Sequence, residues 1–324
     1  MIPGQPLVSL IITSYNRAEM IPKAIKSALK QTYPNLEIII SDNCSTDGTH
    51  EIITSFAADS RIRYSRNEVN IGMLPNFRKA AYELASGEFI TFLSSDDVLA
   101  DPNFITSAIM LVNKDPEISL VFSRSQLTGH NGEVFSTTAL HPYFEKEIWE
   151  GRDVFFNAIN NNTLSWGGTI LRKTEFERVQ SLKAGYINSD IDTNYKIMID
   201  SKVGFINNVC YHALLHKGNA SEQSFARDKL SFMTCINDVA DYALGRLAQE
   251  TVMIEKWRNY FLTVIVHNGL KSLVRSNFRE FRIFRETVAL NYPFVYKNVA
   301  KRKKLMLYVR LHIIKQLFTG NLSK

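Results

Sequence analysis

Val8-Ser9-Leu10-Ile11-Ile12-Thr13, Leu36-Glu37-Ile38-Ile39-Ile40 and Glu88-Phe89-Ile90-Thr91-Phe92-Leu93 decide the fold, since each is a short, β-branched, largely apolar run. Runs of this kind suit strands covered on both faces, as in a parallel sheet flanked by helices. The segments between them change period. Ala18 to Gln31 carries Ile21, Ala24, Ile25, Ala28 and Leu29 at helical spacing, and residues 49–58 and 74–85 also read as helices. With a short strand at Ile62-Arg63-Tyr64, the order is β-α-β-α-β-α-β. That alternation predicts an α/β doubly wound sheet, whose ligands bind beyond the carboxyl ends of its strands.

Further along, Asp101 to Lys114 reads as a helix and Ile118 to Ser123 as a strand, whereas residues 125–165 show no dominant period. Beyond about Ser224 the strand signals fade, and helices are predicted over 226–249, 252–275, 278–289 and 296–318. The expected organisation is a catalytic domain over 1–225 and a helical region over 226–324. A chain of 324 residues, 45% of them hydrophobic, is long enough for one large core and an appended unit. Three scattered cysteines, Cys44, Cys210 and Cys235, form neither a disulfide framework nor a Cys-rich zinc site and fit a reducing compartment. Met1 to Pro6 lacks the basic start of a secretory signal, and no apolar run reaches the ~18 residues of a membrane span. A cytoplasmic location is expected.

The net charge of +6 is unevenly placed. Residues 251–324 hold fifteen Lys or Arg against three Glu, a net +12, which leaves −6 for residues 1–250. A basic segment marks either a surface that meets phosphate or anionic lipid, or a solvated helical face.

Acidic residues recur where the fold predicts a ligand. Asp42 follows the second strand and Asp96-Asp97 the fourth, so parallel neighbours bring them to one rim. A diphosphate cannot lie beside bare carboxylates without a divalent cation, because like charges at short range repel. Mg2+ or Mn2+ is the expected partner. Any single one of these aspartates could instead serve as a turn or helix-cap residue. Two adjacent carboxylates with no Lys or Arg close in sequence fit that alternative less well.

Five segments occur in the order and spacing of a known family: Val8 to Arg17, Ile40-Ser41-Asp42-Asn43-Cys44-Ser45-Thr46-Asp47-Gly48-Thr49, Asn70-Ile71-Gly72, Gly87-Glu88-Phe89-Ile90 and Ser94-Ser95-Asp96-Asp97. Over residues 6–102, and more loosely to about 221, the chain resembles family 2 glycosyltransferases of the GT-A fold, of bacterial cell-envelope, capsule or lipopolysaccharide type. The resemblance implies a mixed sheet flanked by helices, with a nucleotide-binding half to about 102 and an acceptor half to about 225. It implies that Thr13, Tyr15 and Arg17 border the nucleotide base, that Asp42 contacts it, and that Asn70 and Asn76 line the donor pocket. Asp96 would bind ribose or reach the metal through water, and Asp97 would ligate the metal. Ser94 stands where many relatives have Asp, so one carboxylate contact of the family is missing.

An inverting transfer needs a base opposite the leaving diphosphate. The family's acidic segment corresponds to Asn188-Ser189-Asp190-Ile191-Asp192, with Ser189 where Glu is common, which implies Asp190 as the base. Both Asp190 and Asp192 also suit the cap of a helix from Thr193 to Ile199, and Asp192 could line the acceptor pocket. Trp166-Gly167-Gly168 offers an aromatic to stack on a sugar and small residues to let it approach, or else a core Trp and a bulge. In Tyr211 to Ser221 the resemblance makes His216 the metal or phosphate contact, with Lys217 able to offset leaving-group charge. His212 and His216 lack the Glu of a zincin motif.

The implied activity is transfer of a hexose or N-acetylhexosamine from a nucleotide-sugar donor, UDP-sugar favoured, to a glycan or lipid-linked acceptor. Lys301-Arg302-Lys303-Lys304 and the helix after it could lie on the inner face of the cell membrane or pack against another subunit. A nicotinamide oxidoreductase is excluded by the glycine-free turn after the first strand. A non-catalytic scaffold or membrane-surface protein would not be expected to keep Asp42, Asp97 and Asp190, and no nucleic-acid motif accompanies the basic tail.

Overall fold

The apolar runs form four parallel strands, β1 (Val8–Ser14), β2 (Leu36–Asp42), β3 (Ile62–Arg66) and β4 (Phe89–Ser94), in the order β3-β2-β1-β4. The computed structural model describes residues 4–129, 132–137, 145–160, 167–182, 188–216 and 225–318. Trp166 and Lys217, singled out by the sequence, lie outside them. The chain divides into two compact units, Met1–Ala184 with Thr193–His216, and Gly185–Asp192 with Lys217–Lys324.

Beyond β4 the first unit adds β5 (Val98–Leu99), β6 (Ile118–Thr128), β7 (Val134–Thr137), β8 (Ile148–Glu150), β9 (Thr169–Arg172) and β10 (Lys202–Leu214). Antiparallel β9 joins β4 to β6, β10 runs parallel to β6, and β5 pairs antiparallel with β10, so the sheet is mixed. Register keeps the carboxyl ends level: Ser14 lies beside Asp42, Asp42 beside Arg66, and Thr13 beside Ser94.

Leu10, Ile12, Ile38, Ile40 and Leu93 are fully buried with Ile21, Ala24, Ile25 and Ala28 of α1 (Ile21–Leu29). Each large aliphatic side chain so covered contributes about 1.5–3 kcal/mol of transfer free energy. The helix begins at Ile21 rather than Ala18 because Pro22 occupies its first turn, where a missing N–H costs nothing. The remaining helices are α2 (Thr49–Ser55), α3 (Met73–Lys79), α4 (Phe104–Lys114), α5 (Gly151–Asn157) and α6 (Lys173–Arg178). Residues 80–84 continue α3 as a π-turn. The stretch with no dominant period, 125–165, holds the end of β6, then β7, β8 and α5, each too short to impose one.

α7 (Ser189–Asp200) starts four residues before the expected Thr193, so Asp190 and Asp192 lie inside its first turn. The second unit continues with α8 (Ala226–Arg246), α9 (Thr251–Ser276), α10 (Phe278–Asn291), α11 (Pro293–Ala300) and α12 (Lys303–Phe318). α9 is its central element, touching the other four. Its contact with α10 is close, since a Cβ on Gly269 would fall 2.5 Å from Cε1 of Phe284. The single helix expected over 296–318 is two. Pro293 starts the first, and Lys297 and Lys301 end it, where cations favour the negative pole. Among the described residues no helix is long and apolar enough to cross a membrane.

Candidate active site

Three loops leave the level carboxyl ends of β1, β2 and β4, and side chains bind them to one another. After β1, the Asn16 amide N–H donates to Ser45 Oγ at 2.9 Å, Asn16 Oδ1 accepts from the Thr46 N–H, and the Arg17 N–H donates to Thr49 Oγ1. Asp47 then accepts from the Ala18 and Thr49 amides. Asn16 (φ 51°) and Cys44 (φ 65°) adopt left-handed backbone that side chains other than glycine rarely take. Strain of about 1–3 kcal/mol per such residue is held only where the surroundings enforce it, which is typical of binding loops.

Asp42 ends β2 with no exposed surface. One carboxylate oxygen accepts from the amide and hydroxyl of Ser45. The other accepts from the Tyr64 hydroxyl at 3.2 Å and faces Arg66 Nε at 3.3 Å. Burial and then this carboxylate push the Tyr64 hydroxyl well above its ordinary value, so it stays a donor. Ser14, opposite Asp42, is buried with its hydroxyl unpartnered.

The second loop rests on an asparagine cluster. Asn43 Nδ2 donates to Asn70 Oδ1 at 2.7 Å and to the Gly72 carbonyl, and its Oδ1 accepts from Asn67 and from the Ile71 amide. Asn76 is 2% exposed, its Oδ1 accepts from the Ser41 hydroxyl and from Asn67, and its Nδ2 donates to the Ser41 carbonyl, while Lys79 donates to Asn67. Asn76 therefore fastens α3 to β2. Asn70 sits exposed at the loop's turn.

Asp96 and Asp97 follow β4. Asp96 Oδ2 lies 2.9 Å from His216 Nε2 and 3.8 Å from Arg17 Nε. The cation absent from the local sequence is thus supplied from the β1 loop. Asp97 is 9% exposed and accepts from the Tyr211 hydroxyl and from the Leu214 N–H at 2.7 Å. Burial first, then the charge of Asp96, push its carboxyl up to about 6, against the pull of Tyr211, the Leu214 amide and Ser94. Tyr211, fully enclosed, is held far above its usual value by burial and by Asp97 and remains protonated.

Gly167 belongs to this arrangement indirectly. A Cβ there would fall 2.6 Å from Cε1 of Tyr211, so the ring fills the space that had suggested room for a sugar. Of the remaining predicted residues, Thr13 is half-buried beside Ser94 and Tyr15 is 44% exposed at the rim. Asp190 and Asp192 belong to the second unit, Asp190 half-buried and Asp192 1% exposed. Sequence reasoning assigned no role to Asn43, Ser45, Arg66, Asn67 or Tyr211. Asn43 and Ser45 stand within the quoted Asp42 to Thr49 segment, which was the available signal. An open cleft of about 690 Å³ at the amino end of the sheet, lined by Gln5, Asn35, Ser86 and Glu88 among others, holds none of the predicted site residues.

Asp96 and Asp97 at the rim are of the donor class that a hard divalent cation takes, although among the described residues no three His, Cys, Asp or Glu are gathered to hold one. Carboxylate oxygens are the donors such ions take, and at Asp97 burial first and then the charge of Asp96 disfavour the ionised form that a cation would stabilise.

A mixed doubly wound sheet with these loops and carboxylates at its carboxyl rim defines a GT-A domain. The chain belongs to glycosyl transferase family 2, whose model matches residues 9–179. It is 34% identical over 167 residues to the putative colanic acid biosynthesis glycosyl transferase WcaA of Escherichia coli K12, covering 50% of this chain and 58% of that one. It is 38% identical over 129 residues to the UDP-Glc:alpha-D-GlcNAc-diphosphoundecaprenol beta-1,3-glucosyltransferase WfgD of Escherichia coli, covering 40% and 49%. The chain thus spans about half the length of these curated relatives. In fold it is similar to S. aureus TarS 1–349 in complex with UDP-GlcNAc, with a TM-score of 0.68 and 18% identity over 97% of this chain and 92% of that one.

Proposed function

We propose that the protein is an inverting glycosyltransferase that moves a sugar from a nucleotide-sugar donor, by preference a UDP-sugar, to a hydroxyl of a glycan or lipid-linked acceptor. The observation that carries this reading is the Asp96-Asp97 pair at the carboxyl rim, with Asp97 raised and Arg17 and His216 turned to Asp96. The names of WfgD, with its UDP-Glc donor and diphosphoundecaprenol-linked acceptor, and of the UDP-GlcNAc complex of TarS support the choice of donor and acceptor class.

In this mechanism Tyr15 and Thr13 border the base, and Asp42 holds the β2 loop in shape through Ser45 and Arg66. Asp97, with Asp96 and His216, would hold Mn2+ or Mg2+, which when bound neutralises the diphosphate and favours its departure. Arg17 and the metal ligands orient the donor so that the anomeric carbon is open to in-line attack. Asp190, accessible in the first turn of α7, takes the acceptor proton as the acceptor oxygen bonds to the anomeric carbon and the bond to the diphosphate breaks. Configuration inverts in that single displacement.

Purified protein with Mn2+ should bind or slowly hydrolyse a member of a panel of UDP-, GDP- and dTDP-sugars, read by thermal shift and nucleotide release. Asp190→Asn should reduce transfer by about 10²–10⁴-fold, the usual contribution of a general base, while leaving donor binding intact. Silence across the panel would remove the donor assignment, and retained transfer in Asp190→Asn would remove the base.

A further inference from the structure

We infer that the outward face of α12, with the end of α11, docks on an anionic lipid bilayer surface, independently of the transfer reaction. α12 packs against α9 with Leu305 and Val309 buried. On its other side Lys303, Lys304, Leu307, Arg310, Leu311 and Ile314 are exposed at one- and two-turn spacing, Leu307 at 60%, Leu311 at 56% and Ile314 at 47%. A helix with one packed side normally turns polar residues of both signs outward. Here the outward residues are aliphatic or cationic, and none is acidic. Phe294, 65% exposed, and Lys297 repeat the pairing on α11.

Charge identifies the occupant. After Glu286 the chain contains eight Lys or Arg and no Asp or Glu. Two copies of such a face would repel, which disfavours self-association through it. A nucleic acid offers phosphate but no apolar medium for Leu307, Leu311 and Ile314. A bilayer interface offers both: headgroup phosphates for the lysines and arginines, and acyl chains for the aliphatic side chains between them. An exposed apolar patch within a cationic rim is the arrangement that such a surface recognises.

The test is cosedimentation of the full chain with vesicles of phosphatidylcholine alone or with phosphatidylglycerol at 3:1. Each cation near a charged surface is worth about fivefold in partition, so phosphatidylglycerol should raise binding at least about tenfold, and 0.5 M NaCl should reverse most of that gain. Leu307→Glu with Leu311→Glu should lower binding to the mixed vesicles more than about tenfold at unchanged melting temperature, because both positions are exposed. Equal binding to both vesicle types would overturn the inference. So would full binding by the double variant, which would mark a purely ionic phosphate contact, or a concentration-dependent dimer that the double variant abolishes.

Discussion

Glu37 and Asp97 are two buried carboxylates on one sheet, the first near the amino end of β2 and the second beyond the carboxyl end of β4, and their surroundings treat them in opposite ways. Burial raises both. Around Glu37 it is outweighed, because the Ser9 hydroxyl, the Ser86 amide and the Arg63 guanidinium all donate within 2.6 Å, and the carboxyl is held below its usual range. Around Asp97 the Tyr211 hydroxyl and the Leu214 amide donate, but the Arg17 guanidinium goes to Asp96, whose own charge adds to the cost. The fold completes the partners of the carboxylate that is structural. It leaves the other without a cationic partner, which under the proposed function a divalent cation would supply.

Exchanging each carboxylate for its amide should separate the two roles. Asp97→Asn should lower transfer by about 10²–10³-fold, the scale of losing one electrostatic contact to developing charge, with the fold retained. Glu37→Gln should do the reverse. It replaces an acceptor of three donors by one that accepts fewer, so unfolding free energy should fall by about 2 kcal/mol while turnover per folded molecule stays the same. Urea titrations paired with initial rates measure both. Normal transfer in Asp97→Asn, or impaired turnover in folded Glu37→Gln, would erase the division.

The pH dependence of stability sharpens it further. Asp97 ionises at about 6 in the folded protein against 3.8 for the unperturbed group, so the folded state prefers the neutral form. Its charging cost is absent below pH ~4, grows through the interval, and is complete above about 6, where it reaches at most about 3 kcal/mol. Without divalent cations, wild-type stability should carry a falling component from pH 4 to 6 that Asp97→Asn lacks. The variant should then be the more stable protein above pH 6. Glu37 has the opposite sign. Its lowered value adds stability above the ordinary carboxylate range, and that contribution disappears as pH falls through the lowered one. Unfolding measured across pH in chelator, with the two profiles of wild type and Asp97→Asn parallel, would contradict the assignment.

Asp97 was visible in the sequence as a strand-end carboxylate, but the environment that sets its charge was not. β1, β2 and β4 announce themselves because strands buried on both faces must be apolar along their length, and that places Asp42 and Asp96-Asp97 at strand ends. Tyr211 gave no such sign. Its position beside Asp97, 114 residues away, depends on β10 pairing antiparallel with β5, Tyr211 opposite Leu99, in the mixed part of the sheet. Pairings of that separation leave no local period. Gly167 read as space for a ligand because its small size is visible while the ring that fills the space is not. Asn76 was assigned to the donor pocket by the family resemblance alone, and only the fold shows Ser41 and Asn67 around its amide.

Tyr211→Phe is the smallest change that tests how Asp97 is held. It removes one hydroxyl donor from a buried carboxylate and leaves the ring against Gly167. Losing a donor to the charged form costs about 1 kcal/mol, which moves the carboxyl upward by roughly 0.7 of a pH unit. The falling part of the stability profile should therefore extend to higher pH at its upper end by that amount, and donor affinity near pH 6.5 should weaken a few-fold while recovering toward pH 8. Gly167→Ala approaches the same state from the other side of the ring, because its Cβ would fall 2.6 Å from Cε1 and force the tyrosine away from Asp97. A purely structural role for Tyr211 predicts lost stability at every pH with no shift of the profile, and that outcome would deny it any part in setting the charge of Asp97.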